Sequence, residues 1–275
     1  MLPVVSHEVK TRRWPYVTVC LIGLNVIAFA FEASVGTRFV PFLQEWGVVP
    51  GRIQAEITIH NLFTVGSSMF LHVGFVHLLG NMWFLYVFGD AVEDAFGPWW
   101  YLGLYLASGF FGTMAFVATA GASPLPVIGA SGAISGVMAA SLVLWPKARL
   151  KTPGIFLLLF VLGLFYEILV AAGIPSFLLG GPFLFIVGVI GTVLLTRNAG
   201  SFFAGLFHLV AIPAWAVLGL YVSLQLFSGL LVVVNPAYAG AVGYWAHIAG
   251  FTGGAILAWV FPKHPHLLAD RPLLG

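Results

Sequence analysis

Charge is what this chain has least of. Only 7% of its 275 residues are Asp, Glu, Lys or Arg, against 60% apolar. That leaves too little polar surface to wet a globule of this size, and it assigns the chain to a bilayer. Cysteine is scarcer still. Cys20 stands alone, which excludes an intramolecular disulfide and argues against a thiolate metal site. Aspartate occurs only at Asp90, Asp94 and Asp270, so no pair is available inside the membrane for aspartyl chemistry. The His-Glu-x-x-His pattern of a zinc protease is missing. The basic residues are dispersed rather than gathered into a patch, which excludes nucleic acid as a partner.

What is present is a series of long apolar runs. Crossing a hydrocarbon core takes roughly 17 to 25 apolar residues in a helix, because every backbone amide must find its partner within the segment. Eight runs qualify, at about 14–32, 73–89, 98–121, 126–145, 153–172, 177–196, 203–229 and 237–261. The predicted fold is therefore all-α, a polytopic membrane helical bundle of about eight transmembrane segments, treated as a single membrane-embedded domain over 1–275. No cleavable signal pattern precedes the first run, which is expected to remain as an anchor. Threading the runs alternately in and out leaves Arg38 and Arg52 outside, and the other nine basic residues inside. By the positive-inside rule both termini are then cytoplasmic, and the expected location is a prokaryotic plasma membrane.

A polar side chain at membrane depth costs free energy unless it is paired or wetted, which makes each one a candidate for function. Three places stand out. In "FLHVGFVHLLGN", His77 and Asn81 are four apart on one helical face, and both can donate a hydrogen bond to one point. His72 precedes them in the loop leading in. In "VIGASGAISG", Ser131 sits among Gly129, Gly132, Gly136, Ala130 and Ala133. Small residues at such spacing are first of all a packing signature. In "YWAHIAGFTGGA", His247, Gly250 and Gly254 share a face, so a bare helix surface can bring an imidazole close to a serine on a facing helix. A serine hydroxyl attacks only when a base within about 2.6 to 3.2 Å removes its proton. Ser131 and His247 fit those two roles as a dyad, because Asp90, Glu93 and Asp94 fall at the far end of the second run. His77 and Asn81 are then donors suited to an oxyanion.

These residues resemble the rhomboid intramembrane serine proteases. The resemblance rests on "HVGFVHLLGNM" at 72–82, "GASGAISG" at 129–136 and "AHIAGFTGG" at 246–254, supported by "GDAVEDAFG" at 89–97 and "IPAWAVLGLYVSLQ" at 212–225. It implies a six-helix core over about 14–148 and 205–262, with Ser131 as nucleophile, His247 as general base, and His77 and Asn81 as oxyanion stabilisers. His72 matches a histidine of structural standing, and Gly129, Gly132, Gly250 and Gly254 are expected to be structural residues near the site. It also implies that the serine opens a short helix below the outer surface, that water reaches it through a cavity, and that the substrates are transmembrane segments of other proteins within the lipid bilayer.

The chain departs from that pattern in two ways. Residues about 150–200 read as an inserted pair of hydrophobic helices, which preserves the parity that returns His247 to the correct side. Ser135 stands where some members carry an aromatic. A His72, His77, His247 metal site is disfavoured because no acid backs any of the ligands, so neither a metal nor a cofactor is expected. A catalytically silent relative that binds client helices would ordinarily have lost the serine or the histidine. A transporter would want inverted repeats and intramembrane charge.

Overall fold

The computed structural model describes residues 6–7, 9, 11–154, 208–234 and 243–264. Within it the chain divides into two compact units, residues 1–8 with 147–242, and residues 9–146 with 243–275. The expected inserted helices at about 153–172 and 177–196 lie outside the described residues apart from residues 153 and 154.

The first unit holds a small antiparallel sheet and one long helix. Strands β1 (Ser6–His7), β2 (Arg149–Pro153) and β3 (Leu209–Pro213) pair in that order. In register, Ser6 lies opposite Lys151 and Leu150 opposite Ile212. Helix α8 (Ala214–Val234) follows β3 directly. The chain is mostly helical as expected, and the small sheet is a local addition that turns residues 209–213 of the predicted seventh run into strand. Val210 and Ile212 are β-branched and Pro213 lacks an amide hydrogen, so this stretch is better suited to a pleated ladder than to the interior of a helix.

The second unit is a helical bundle. Helix α1 (Tyr16–Ser34) begins straight after Pro15. The connection that follows, between the first two predicted runs, folds into three short helices, α2 (Phe39–Trp46), α3 (Pro50–Ala55) and α4 (Ile59–Ser67). The last of these is capped by Thr58, whose hydroxyl accepts from the Asn61 amide at 3.1 Å. Helices α5 (Phe75–Phe96), α6 (Pro98–Thr119), α7 (Ser131–Leu144) and α9 (Tyr244–Val260) complete the bundle.

By length and apolarity, α1, α5, α6 and α8 are each sufficient to cross a membrane. The side chains are arranged for lipid outside and polarity inside. The buried residues of α1 are Thr18, Leu21, Asn25 and Glu32, one stripe at helical spacing. Val19, Leu24, Val26, Ile27 and Phe31 of the same helix are exposed. A helix in water would show the reverse; here the hydrocarbon takes the apolar face and the polar groups find partners within the protein.

Helix α7 is the exception in length. Its 14 residues rise only about 21 Å, short of the roughly 30 Å of a hydrocarbon core. The sequence predicted helix from about 126, but residues 126–130 approach in irregular form. Val127 exchanges backbone hydrogen bonds with Val48 at 3.1 and 2.7 Å, and the Gly129 amide donates to the Ser68 carbonyl at 2.8 Å. Pro126 and a positive φ at Gly129 (125°) are incompatible with a regular helix there.

Helices α6, α7 and α9 pack on one another through glycine. A Cβ at Gly250 of α9 would run into the Gly132 carbonyl of α7, and one at Gly254 into the Gly136 backbone. A Cβ at Gly112 of α6 would stand 2.6 Å from the Ala246 carbonyl oxygen. Because backbone meets backbone, these three helices approach more closely than side chains would permit.

Candidate active site

The close approach of α7 and α9 has a chemical result. Ser131 is the first residue of α7 and His247 lies in the first turn of α9. With the glycine faces pressed together, His247 Nε2 comes to 2.7 Å from Ser131 Oγ. With the imidazole proton on Nδ1, Nε2 accepts the serine hydroxyl, the arrangement a general base needs. Ser135, one turn on, sends its hydroxyl back to the Ser131 carbonyl at 2.7 Å and is fully buried, so it braces the first turn of the helix.

Two further features converge on Ser131. The first turn of α7 has no side-chain cap, as Ala130 occupies the capping position, so its leading backbone amides have no intrahelical acceptor. The His77 ring lies over Gly129. A Cβ there would stand 2.9 Å from His77 Cε1, 3.0 Å from Nε2 and 3.6 Å from Ser131 Oγ. Glycine at 129 thus meets two demands at once, a positive φ and the space that the imidazole fills.

Asn81 is placed differently from His77. Spacing along α5 predicted that the two would aim at one point, yet the Asn81 side-chain amide donates to His72 Nε2 at 2.9 Å. His72 lies in the turn ahead of α5 and is completely buried. Its ring meets that of His77 edge to face, with centroids 5.0 Å apart. Burial, helped by the neighbouring His77, lowers His72 to about 4 against a small opposing pull from the Phe70 backbone. The ring is therefore neutral near pH 7, as its role as acceptor from Asn81 requires.

The turn itself is held by a residue that the motifs did not single out. Glu32, near the end of α1, accepts the His72 backbone amide on Oε2 at 3.0 Å and is 1% exposed. The signal was available: Glu32 is the one acid in the first apolar run, and a carboxyl at membrane depth is a functional candidate by default. It was overlooked because the predicted run ended on it, where an acid reads as a boundary.

Gly132, Gly250 and Gly254 lie in the helix contact described above. Among the described residues, no three or more His, Cys, Asp or Glu side chains are grouped as ligands for a metal.

Comparison with known proteins gives a consistent picture. The family described as "Rhomboid domain" matches residues 59–198, just over half of the chain. The matched span includes His77, Asn81 and Ser131 and ends before His247. Among curated relatives, "RHOMBOID-like protein 12, mitochondrial" of Arabidopsis thaliana is 30% identical over 175 residues, 56% of this chain and 46% of that protein. "Rhomboid protease GluP" of Bacillus subtilis (strain 168) is 33% identical over 129 residues, 46% of this chain and 24% of its own. "Presenilin-associated rhomboid-like protein A, mitochondrial" of Danio rerio is 32% identical over 118 residues, 42% and 31% respectively. The chain spans less than half the length of each of these relatives.

Proposed function

This chain belongs to the rhomboid family, and on that premise we propose that it is an intramembrane serine endopeptidase acting on transmembrane segments of other membrane proteins. The observation that carries the reading is the 2.7 Å contact between Ser131 Oγ and His247 Nε2, at the start of a helix too short to span the bilayer. In this reading Ser131 lies below the membrane surface. The relative named as a protease, from Bacillus subtilis, supports the same chemistry.

The reaction runs in two halves. Ser131 Oγ attacks the scissile carbonyl while His247 Nε2 takes its proton. The tetrahedral oxyanion is met by His77, by the free N–H of the Asn81 amide and by the uncapped amides that open α7. His247 then hands the proton to the departing amine, leaving an acyl-enzyme. Water, deprotonated in turn by His247, releases the acid product and restores the serine. No metal or cofactor enters. A substrate helix hides its carbonyls in backbone hydrogen bonds, so the segment cleaved must unwind locally, which glycine and other weak helix formers ease. The distribution of basic residues supports an orientation with both termini on the cytoplasmic side.

The test is covalent labelling of the purified, liposome-reconstituted protein with a fluorophosphonate probe. Wild type is expected to label and to cleave a transmembrane substrate, while Ser131→Ala and His247→Ala lose both. A folded wild type that neither labels nor cleaves any transmembrane substrate would overturn the proposal in favour of a protein that only binds client helices.

A further inference from the structure

Glu32 has no part in the chemistry just described, yet it occupies a costly position. A carboxyl group withdrawn from water must be compensated by partners, and at membrane depth the demand is more severe. Glu32 meets that demand on one side only. Oε2 accepts the His72 amide at 3.0 Å, whereas Oε1 is buried with no hydrogen-bond partner among the described residues. A carboxylate kept only to clasp two segments would be expected to use both oxygens.

The one bond that Glu32 does make leads toward the site. It fixes the backbone of His72, whose fully buried ring faces His77 edge-on at 5.0 Å and takes one N–H of the Asn81 amide at 2.9 Å. A primary amide has two N–H groups on a rigid plane. Once one is held by His72, the amide can no longer rotate, and the direction of the other is set. His77 in turn covers Gly129 beside Ser131 Oγ. We propose that Glu32 is a positioning residue for the oxyanion site, acting through the His72 turn to hold the Asn81 amide, and with it the His77 ring, in the orientation that meets the developing charge. The geometry asks only for an acceptor at this position. Glutamine can supply one; leucine, similar in volume, cannot.

This inference rests on the proposed protease reading, and its test separates the two. Initial rates are measured on reconstituted full-length protein with a transmembrane substrate for wild type, Glu32→Leu, Glu32→Gln, Asn81→Ala and the double variant Glu32→Leu with Asn81→Ala. Glu32→Leu is expected to lower kcat by about 10- to 100-fold, part of the loss typical for one oxyanion donor, with KM within about twofold. Glu32→Gln is expected to restore kcat to within about threefold of wild type. Because Glu32 acts through Asn81, adding Glu32→Leu to Asn81→Ala should lower kcat by no more than about twofold further. Should Glu32→Leu fail to fold, Glu32→Asp, which withdraws the carboxylate by one methylene, takes its place in both backgrounds with the same expected pattern.

An equal loss in both backgrounds would mark Glu32 as a general structural support and overturn the inference. So would an unchanged kcat in the leucine or aspartate variant, or a glutamine variant as slow as leucine. An active wild type with any of these results leaves the protease reading standing. A wild type that neither labels nor cleaves removes both.

Discussion

The two ends of helix α5 carry the same kinds of residue to opposite effect. At its C-terminal end Glu93 is buried and satisfied. Its Oε1 accepts the Val17 amide at 2.9 Å, and its Oε2 accepts both the amide and the hydroxyl of Thr18 at 2.8 Å. The carboxylate thereby closes the start of α1, whose first turn would otherwise leave amides without acceptors. At the other end, His77 and Asn81 are held by neighbours but not used up by them. His77 Nδ1 has no hydrogen-bond partner among the described residues, and Asn81 spends one N–H on His72. At the two ends of α5, then, the carboxyl with both oxygens matched closes a helix start and builds the fold, whereas His77, whose ring lies over Gly129, and Asn81 keep capacity to spare.

The sharpest way to break that distinction is to remove a side chain from each end. Asn81→Ala is predicted to lower kcat by about 10²- to 10³-fold, the usual loss for one oxyanion donor, with little change in KM and a smaller loss of thermal stability than Glu93→Ala, since only the His72 acceptor is left unmatched. Turnover of a reconstituted substrate, with the melting temperature in detergent measured alongside, checks it. A kcat within twofold of wild type would remove Asn81 from the oxyanion site.

Glu93→Ala should show the mirror image. Three donors at the start of α1 lose their acceptor, at a cost of about 1 to 3 kcal/mol for buried groups left unmatched. The expected result is a lower melting temperature and a smaller folded fraction, with kcat per fluorophosphonate-labelled molecule unchanged. A loss of kcat at constant stability would show that this end of α5 takes part in catalysis and would erase the contrast.

Much of this was legible in the sequence, for reasons that also explain what was not. Glycine spacing in "GASGAISG" and "AHIAGFTGG" carries its own geometry: bare faces of two helices must meet closely, and the meeting brings Ser131 to His247. Helix boundaries were less readable, because residues 126–130 are as apolar as a span, and the break comes from Pro126 together with a positive φ at Gly129 that no hydropathy pattern reports. The strand before α8 was hidden for the same reason. Asn81 shows a different blindness. Periodicity tells which residues share a face of one helix, but its partner His72 comes from the preceding turn, and that turn is held by a third segment, α1. Links of that sort depend on tertiary packing that no local pattern reports, and Glu32 went unread with them.

The weakest expected effect concerns His72. Its folded pKa is lowered to about 4 from an ordinary value of 6.5, chiefly by burial. As pH falls through this window the unfolded chain takes up a proton at this residue while the folded protein does not, so folding stability declines between about 6.5 and 4 and is independent of this group above that range. Protonation of Nε2 would also remove the acceptor that Asn81 uses. Wild type is therefore predicted to lose thermal stability on acidification more steeply than His72→Gln, in which the titrating group is absent. Groups common to both proteins, the carboxylates at the far end of α5 included, cancel in the comparison. Melting temperatures measured from pH 7.5 to 4.5 in one detergent give the two slopes. Parallel curves would mean that His72 is not held neutral by its surroundings, and that the Asn81 amide is fixed by something other than this ring.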